Sequence, residues 1–243
     1  MHKKTDACLL IHGFTGGPFE VMPLAEHLIE NGYHVSVPTL AGHAGNFKEL
    51  GQVTYQDWIA SAEAALVGLL AEYQRVNIIG FSMGGLISIY LADKYDIKAL
   101  VTLSAPVYVL DYKRIAENIY FGLKNKDYRR IEKYAANVAR VPLKAALNFK
   151  LILKEAKPLI SKINTPLLVI QGLKDDTVKP KSAEYIYNNA ASLNKQIHYL
   201  PKSSHLVCLD VEKEIVFELV GEFIDSYSLD LNIEVAESGL LVH

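Results

Sequence analysis

Short apolar runs recur along the chain at 7–11, 33–38, 76–81, 98–103, 166–171 and 196–200. Each is five or six residues long, nearly continuous in apolar character at its centre and rich in Val and Ile. That is the pattern of strands buried on both faces of a parallel sheet. Between them, at 19–31, 54–73, 83–94, 180–190 and 210–226, apolar residues return every three or four positions, the period of a helix. In the last of these, Ile215, Val216, Leu219, Val220, Phe223 and Ile224 form one stripe suited to a sheet face. Strand alternating with helix predicts an α/β domain with a mostly parallel sheet of about six strands, covered by helices on both faces.

Two stretches break the alternation. Residues 107–160 carry helical patterning and several Tyr residues but no convincing strand, and read as a helical insertion. Residues 228–243 alternate Leu229, Leu231, Ile233 and Val235 at a strand period after the final helix, a C-terminal tail. The domain reading is therefore a core of 1–106 and 161–227, an insertion at 107–160 and a tail at 228–243.

Composition narrows the classes. The 243 residues are 50% hydrophobic, enough to bury the core of one large domain. A net charge of −2 offers no general attraction to nucleic acid. No apolar stretch reaches the ~18 residues of a membrane span, so a cytoplasmic chain acting on small molecules is expected. Charge is uneven, however: 107–160 holds twelve Lys or Arg against five Asp or Glu, leaving −9 for the rest. A solvated helical face accounts for this, and a lid in weak contact with a lipid interface is the sharper alternative. Cys8 and Cys208 are not spaced for zinc and suit reduced, packed thiols. The oligomeric state is left open.

The sharpest chemical signal is Gly80-Phe81-Ser82-Met83-Gly84, between the apolar run Val76–Ile79 and a helical segment. Strand, tight turn and helix around G-x-S-x-G form a nucleophile elbow, which lifts the Ser82 hydroxyl out of the sheet at a helix N-terminus. A second signal, His12-Gly13-Phe14-Thr15-Gly16-Gly17, follows the first strand. A turn there can aim a backbone N–H at a developing oxyanion, with the second donor on the residue after the nucleophile. Those donors are the amides of Phe14 and Met83.

In hydrolases of this type the chain order is Ser, acid, His, so His12 is read as structural. Of the histidines after Ser82, His198 lies in a strand pattern and His243 ends the chain. His205 sits alone in the loop Lys202–Leu206 and is the candidate base. The acid should follow the strand Leu167–Gln171, where Asp175 and Asp176 compete. Asp210 reads as an N-cap of the last helix, His43 as a loop-stabilising residue and Trp58 as core.

Together these residues resemble the α/β-hydrolase superfamily, and within it the bacterial carboxylesterase and monoacylglycerol lipase branch, over about 7–226. The likeness rests on the loop His12–Gly16, the elbow Gly80–Gly84, the acid loop Asp175–Val178 and the loop Ser203–His205. It implies a catalytic set of Ser82, His205 and, in preference to Asp176, Asp175. It further implies a carboxylic ester hydrolase for small esters of short or medium acyl chain, monoacylglycerols among them, with 107–160 as a cap over the pocket. No metal or organic cofactor is implied. The loop Leu40-Ala41-Gly42-His43-Ala44 departs from the family's usual Leu-x-Gly-His-Gly, and the chain begins too late for the extra strands that commonly open the fold. Thioesterase or amide-cleaving chemistry, and a ligand-sensing hydrolase with little turnover, are the rival readings.

Overall fold

A computed structural model describes residues 4–44, 47–108 and 141–227. The six apolar runs form six strands: β1 (Lys4–Ile11), β2 (His34–Ser36), β3 (Tyr73–Phe81), β4 (Ala99–Leu103), β5 (Leu167–Gly172) and β6 (Lys195–Leu200). They make one sheet in the order β2-β1-β3-β4-β5-β6, every neighbouring pair parallel. Seven helices are present among the described residues: α1 (Met22–Glu30), α2 (Phe47–Leu50), α3 (Tyr55–Glu72), α4 (Met83–Lys94), α5 (Leu143–Leu159), α6 (Lys181–Asn189) and α7 (Lys213–Ser226). The α/β architecture expected from the periodicity is the one the chain forms.

The alternation of side chains along each strand divides the core in two. Ala7, Leu9 and Ile11 of β1 enter a cluster with Trp58 and Leu66 of α3, Ile87 of α4 and Ile152 of α5. Cys8 and Leu10 point the other way, to Leu24 and Leu28 of α1 and Val216, Val220 and Ile224 of α7. Helices thus cover both faces, and polar chemistry is left to the sheet's carboxyl edge. Strand order reverses about β1 and β3, whose following helices lie on opposite faces, and this opens a crevice above those two strand ends.

Part of the expected insertion belongs to the core. Ala145, Ile152 and Ala156 of α5 are buried in the cluster that holds Trp58, and the Tyr55 N–H donates to Asn148 Oδ1 at 3.0 Å. Helix α5 packs on α3 and α4, the helices that cover this face of the sheet. The remainder of the expected cap, 109–140, and the tail at 228–243 lie outside the described residues.

Glycines inside helices identify a direct test of this packing. A Cβ added at Gly68 of α3 or Gly221 of α7 meets nothing within 4 Å. Gly68→Ala and Gly221→Ala should therefore each stabilise the fold by about 0.5–1 kcal/mol, because Ala has less conformational entropy to lose from the unfolded chain. Urea unfolding of the two variants checks this.

Candidate active site

Ser82 joins β3 to α4 at φ 52 and ψ −119, a backbone region that L-residues rarely enter. Such strain persists only where the surroundings impose it. Here the Ser82 N–H donates to Leu103 O at 2.8 Å, and the Gly85 N–H donates to Ser82 O at 2.9 Å. The flanking glycines of the motif are required by contact. A Cβ at Gly80 would lie 2.2 Å from Ser88 Oγ, and one at Gly84 2.1 Å from Ile11 O.

His205 stands in the loop between β6 and α7. Its Nδ1–H donates to Asp175 Oδ2 at 2.8 Å, which leaves Nε2 as a bare acceptor for the Ser82 hydroxyl at 3.0 Å. Asp175, 1% exposed, also takes the N–H groups of Thr177 and Val178 on Oδ1, both at 2.8 Å, and Gln171 Nε2–H on Oδ2 at 2.8 Å. Burial pushes this carboxyl up, but the His205 contact and the two amides outweigh it and hold Asp175 below the usual carboxylate range. Asp176 is exposed and accepts the Thr177 hydroxyl at 3.1 Å. Of the two adjacent acids, the structure brings Asp175 to the imidazole.

The His205 loop has two braces that the sequence did not reveal. Asp210 Oδ2 accepts the N–H of Ser204 at 2.6 Å and also its hydroxyl. Glu212 takes the Lys202 N–H at 2.8 Å and the Ser203 hydroxyl at 2.6 Å. The expected capping role of Asp210 is corrected by these contacts: α7 begins at Lys213 after Glu212, and Asp210 takes only the adjacent Val211 N–H on Oδ1, at 2.7 Å, while Oδ2 turns back to the loop. A short polar residue before a helix looks the same in sequence whichever way it points.

Met83 follows Ser82 directly, and the residue before Phe14 backs onto the serine, since a Cβ at Gly13 would lie 3.2 Å from Ser82 Cβ. Met83 is the first residue of α4, where helical N–H groups lack an intrahelical acceptor. Phe14 lies in the turn after β1, followed by Thr15 at φ 61, and no acceptor among the described residues takes its N–H. Its ring stacks on Phe149 of α5 at 5.1 Å and packs on Trp58 at 5.6 Å. Sequence reading also missed Glu20. Its Oε2 accepts the Gly13 N–H at 2.9 Å beneath this turn, and burial pushes its carboxyl up.

His12 is structural. Its Nε2 accepts the Leu40 N–H at 3.1 Å and its Nδ1–H donates to Gly13 O at 2.9 Å, so the neutral ring ties two loops together. His43 holds its own loop through Nδ1–H to Ala41 O at 2.9 Å and meets the His12 ring edge-on at 5.0 Å. Trp58 is fully buried.

A serine raised over the carboxyl edge of a doubly covered parallel sheet, with an imidazole in reach, places the protein among the α/β-hydrolases. Within that class, the chain belongs to the serine aminopeptidase S33 family, whose model matches residues 2–212. It is similar to a thermostable monoacylglycerol lipase of Bacillus sp. (strain H-257), at 30% identity over 226 residues and 88% of each chain. It is also similar to a carboxylesterase of Bacillus subtilis (strain 168), at 27% identity over 90% of this chain and 92% of that one. Among solved structures, one of the metagenome-derived lipolytic enzymes LipS and LipT shares the fold with a TM-score of 0.78 at 24% identity, covering 92% of this chain and 95% of its own. No described helix is long and apolar enough to cross a membrane.

The loop histidine makes stability depend on pH. Burial pushes His12 down to about 4, against ~6.5 for an imidazole in an unfolded chain. The folded state therefore binds this proton less readily than the unfolded one, and the His12 contribution is whole above pH ~6.5 and lost as pH falls toward 4. The melting temperature should decline over that interval, with a shallower decline in His12→Gln from a lower starting value. Thermal unfolding followed by circular dichroism across the pH series measures both.

Proposed function

We propose that this protein is a carboxylic ester hydrolase working through an acyl-enzyme on Ser82. The observation that carries the reading is the continuous line from Ser82 Oγ through the His205 imidazole to the buried Asp175 carboxylate. In this reading, His205 Nε2 takes the hydroxyl proton as Ser82 Oγ bonds to the ester carbonyl carbon. Asp175 keeps the ring in the Nδ1–H tautomer and stabilises the imidazolium that forms. The Phe14 and Met83 amides receive the oxyanion. As the tetrahedral adduct collapses, the imidazolium returns its proton to the departing alkoxide, and water then attacks the acyl-enzyme by the same route.

The leaving group is not chosen by this machinery. The family is described as a peptidase, whereas the similar curated proteins are named for monoacylglycerol and carboxylic ester hydrolysis. Their coverage of most of this chain favours carboxylic esters, monoacylglycerols included, over amides and thioesters, and short to medium acyl chains are what the family resemblance implies. Hydrolysis of p-nitrophenyl acetate, butyrate and octanoate and of monoacylglycerols, set against amino-acyl p-nitroanilides and acyl-CoA, tests the choice. Faster turnover of the anilides or of acyl-CoA would overturn it, and no turnover of any would favour a sensing role.

Variants test the assigned roles. Ser82→Ala and His205→Ala should each lower kcat by ~10⁴ or more while the fold is retained, because members of such a set act as a unit. Asp175→Asn should cost ~10²–10⁴, and Asp176→Asn should stay close to wild type. Steady-state kinetics on p-nitrophenyl butyrate provide the comparison.

A further inference from the structure

We infer that Glu20 is a positioning residue for the oxyanion loop, holding the Phe14 amide toward the carbonyl oxygen that Ser82 attacks; this rests on the ester-hydrolase reading above. Glu20 ends a short 3-10 turn, Pro18–Glu20, directly after the glycine-rich loop, and is only 8% exposed. Its carboxyl folds back beneath that loop. Oε2 accepts the Gly13 N–H at 2.9 Å, and the carboxyl also accepts a backbone N–H from Gly17. The fit leaves no room for a side chain above it. A Cβ at Gly16 would lie 2.1 Å from Oε2 and 2.2 Å from Oε1. A Cβ at Gly13 would lie 3.2 Å from both Glu20 Oε2 and Ser82 Cβ, so carboxylate and nucleophile meet the same short piece of backbone.

The Phe14 peptide is thereby held from two sides. Glu20 fixes the turn through Gly13 and Gly17, while the Phe14 ring is packed against Phe149 and Trp58. With those glycine amides engaged, the Phe14 N–H is left without an acceptor among the described residues. A buried carboxylate beside a centre that must stabilise an oxyanion is unfavourable on charge alone. Its two amide bonds offset part of that cost. So does its proximity to His205, whose charge acts on it and which becomes an imidazolium during attack. Among the described residues, the buried thiol of Cys208 also faces Glu20.

Two variants separate positioning from bulk stability. Glu20→Gln keeps the volume and one carbonyl acceptor but turns an NH₂ toward a backbone N–H, and Glu20→Ala removes both acceptors. On p-nitrophenyl butyrate, kcat should fall about tenfold in Glu20→Gln and about a hundredfold in Glu20→Ala, with KM within about twofold of wild type. A trifluoromethyl ketone, which forms an oxyanion when Ser82 adds to it, should bind more weakly by the same factor as the loss in kcat/KM. Hydrogen–deuterium exchange across 12–17 should be faster in both variants. A lowered melting temperature with unchanged kcat and unchanged ketone affinity in folded Glu20→Gln would overturn the inference. If the wild type hydrolyses no ester, the ester reading fails, and the exchange experiment decides on Glu20 by itself: unchanged exchange at 12–17 in Glu20→Gln overturns its loop role, and faster exchange upholds it.

Discussion

The approach of α4 to the carboxyl end of β1 is the constraint around which the site is built. Gly84 sits so near Ile11 O that even a methyl group is excluded, and Gly80 is equally confined by Ser88 and the Gly84 carbonyl. Because the helix can begin nowhere else, the residue before it must take up a positive φ, and Ser82 is that residue. Its amide is spent on Leu103 O, which ties the elbow to β4. The hydroxyl then stands over the sheet edge as a consequence of backbone packing, and the first helical N–H, at Met83, comes with it. The remaining groups are loops brought to a point already fixed.

Those loops share one method of support: carboxylates that accept backbone N–H groups. Asp175 holds its own turn through Thr177 and Val178, Asp210 and Glu212 hold the His205 loop, and Glu20 holds the turn that carries Phe14. Charged acceptors on backbone donors are stronger than neutral ones and keep loop geometry without adding bulk near the reacting atoms. Only Asp175 also meets the imidazole through a direct hydrogen bond.

What the sequence disclosed follows from this division. Strands and helices were readable because burial on both faces leaves a nearly unbroken apolar run, and Ser82 was readable because the elbow demands small residues at fixed spacing. His205 was legible through chain order. Asp175 and Asp176 could not be separated by pattern, since only the register of the turn decides which carboxylate is buried. Glu20 gave no signal, because an acid in the first turn of a helical segment ordinarily faces water. For α5 the helical period was visible but its packing partner was not, and a stripe of Ala145, Ile152 and Ala156 serves a core as well as a cap.

The order of the strands gives the site a place in time as well as in space. Ser82 and His205 are separated by 123 positions, and the imidazole follows β6, the last strand and one edge of the sheet among the described residues. During synthesis from the N-terminus, the elbow is complete while His205 is still untranslated. Long-range parallel pairing is also the slow part of folding, since loop closure must precede any gain from contact. Under the proposed function, a nascent or half-folded chain holds an unactivated alcohol, and reactivity arrives only when the far edge of the sheet has docked.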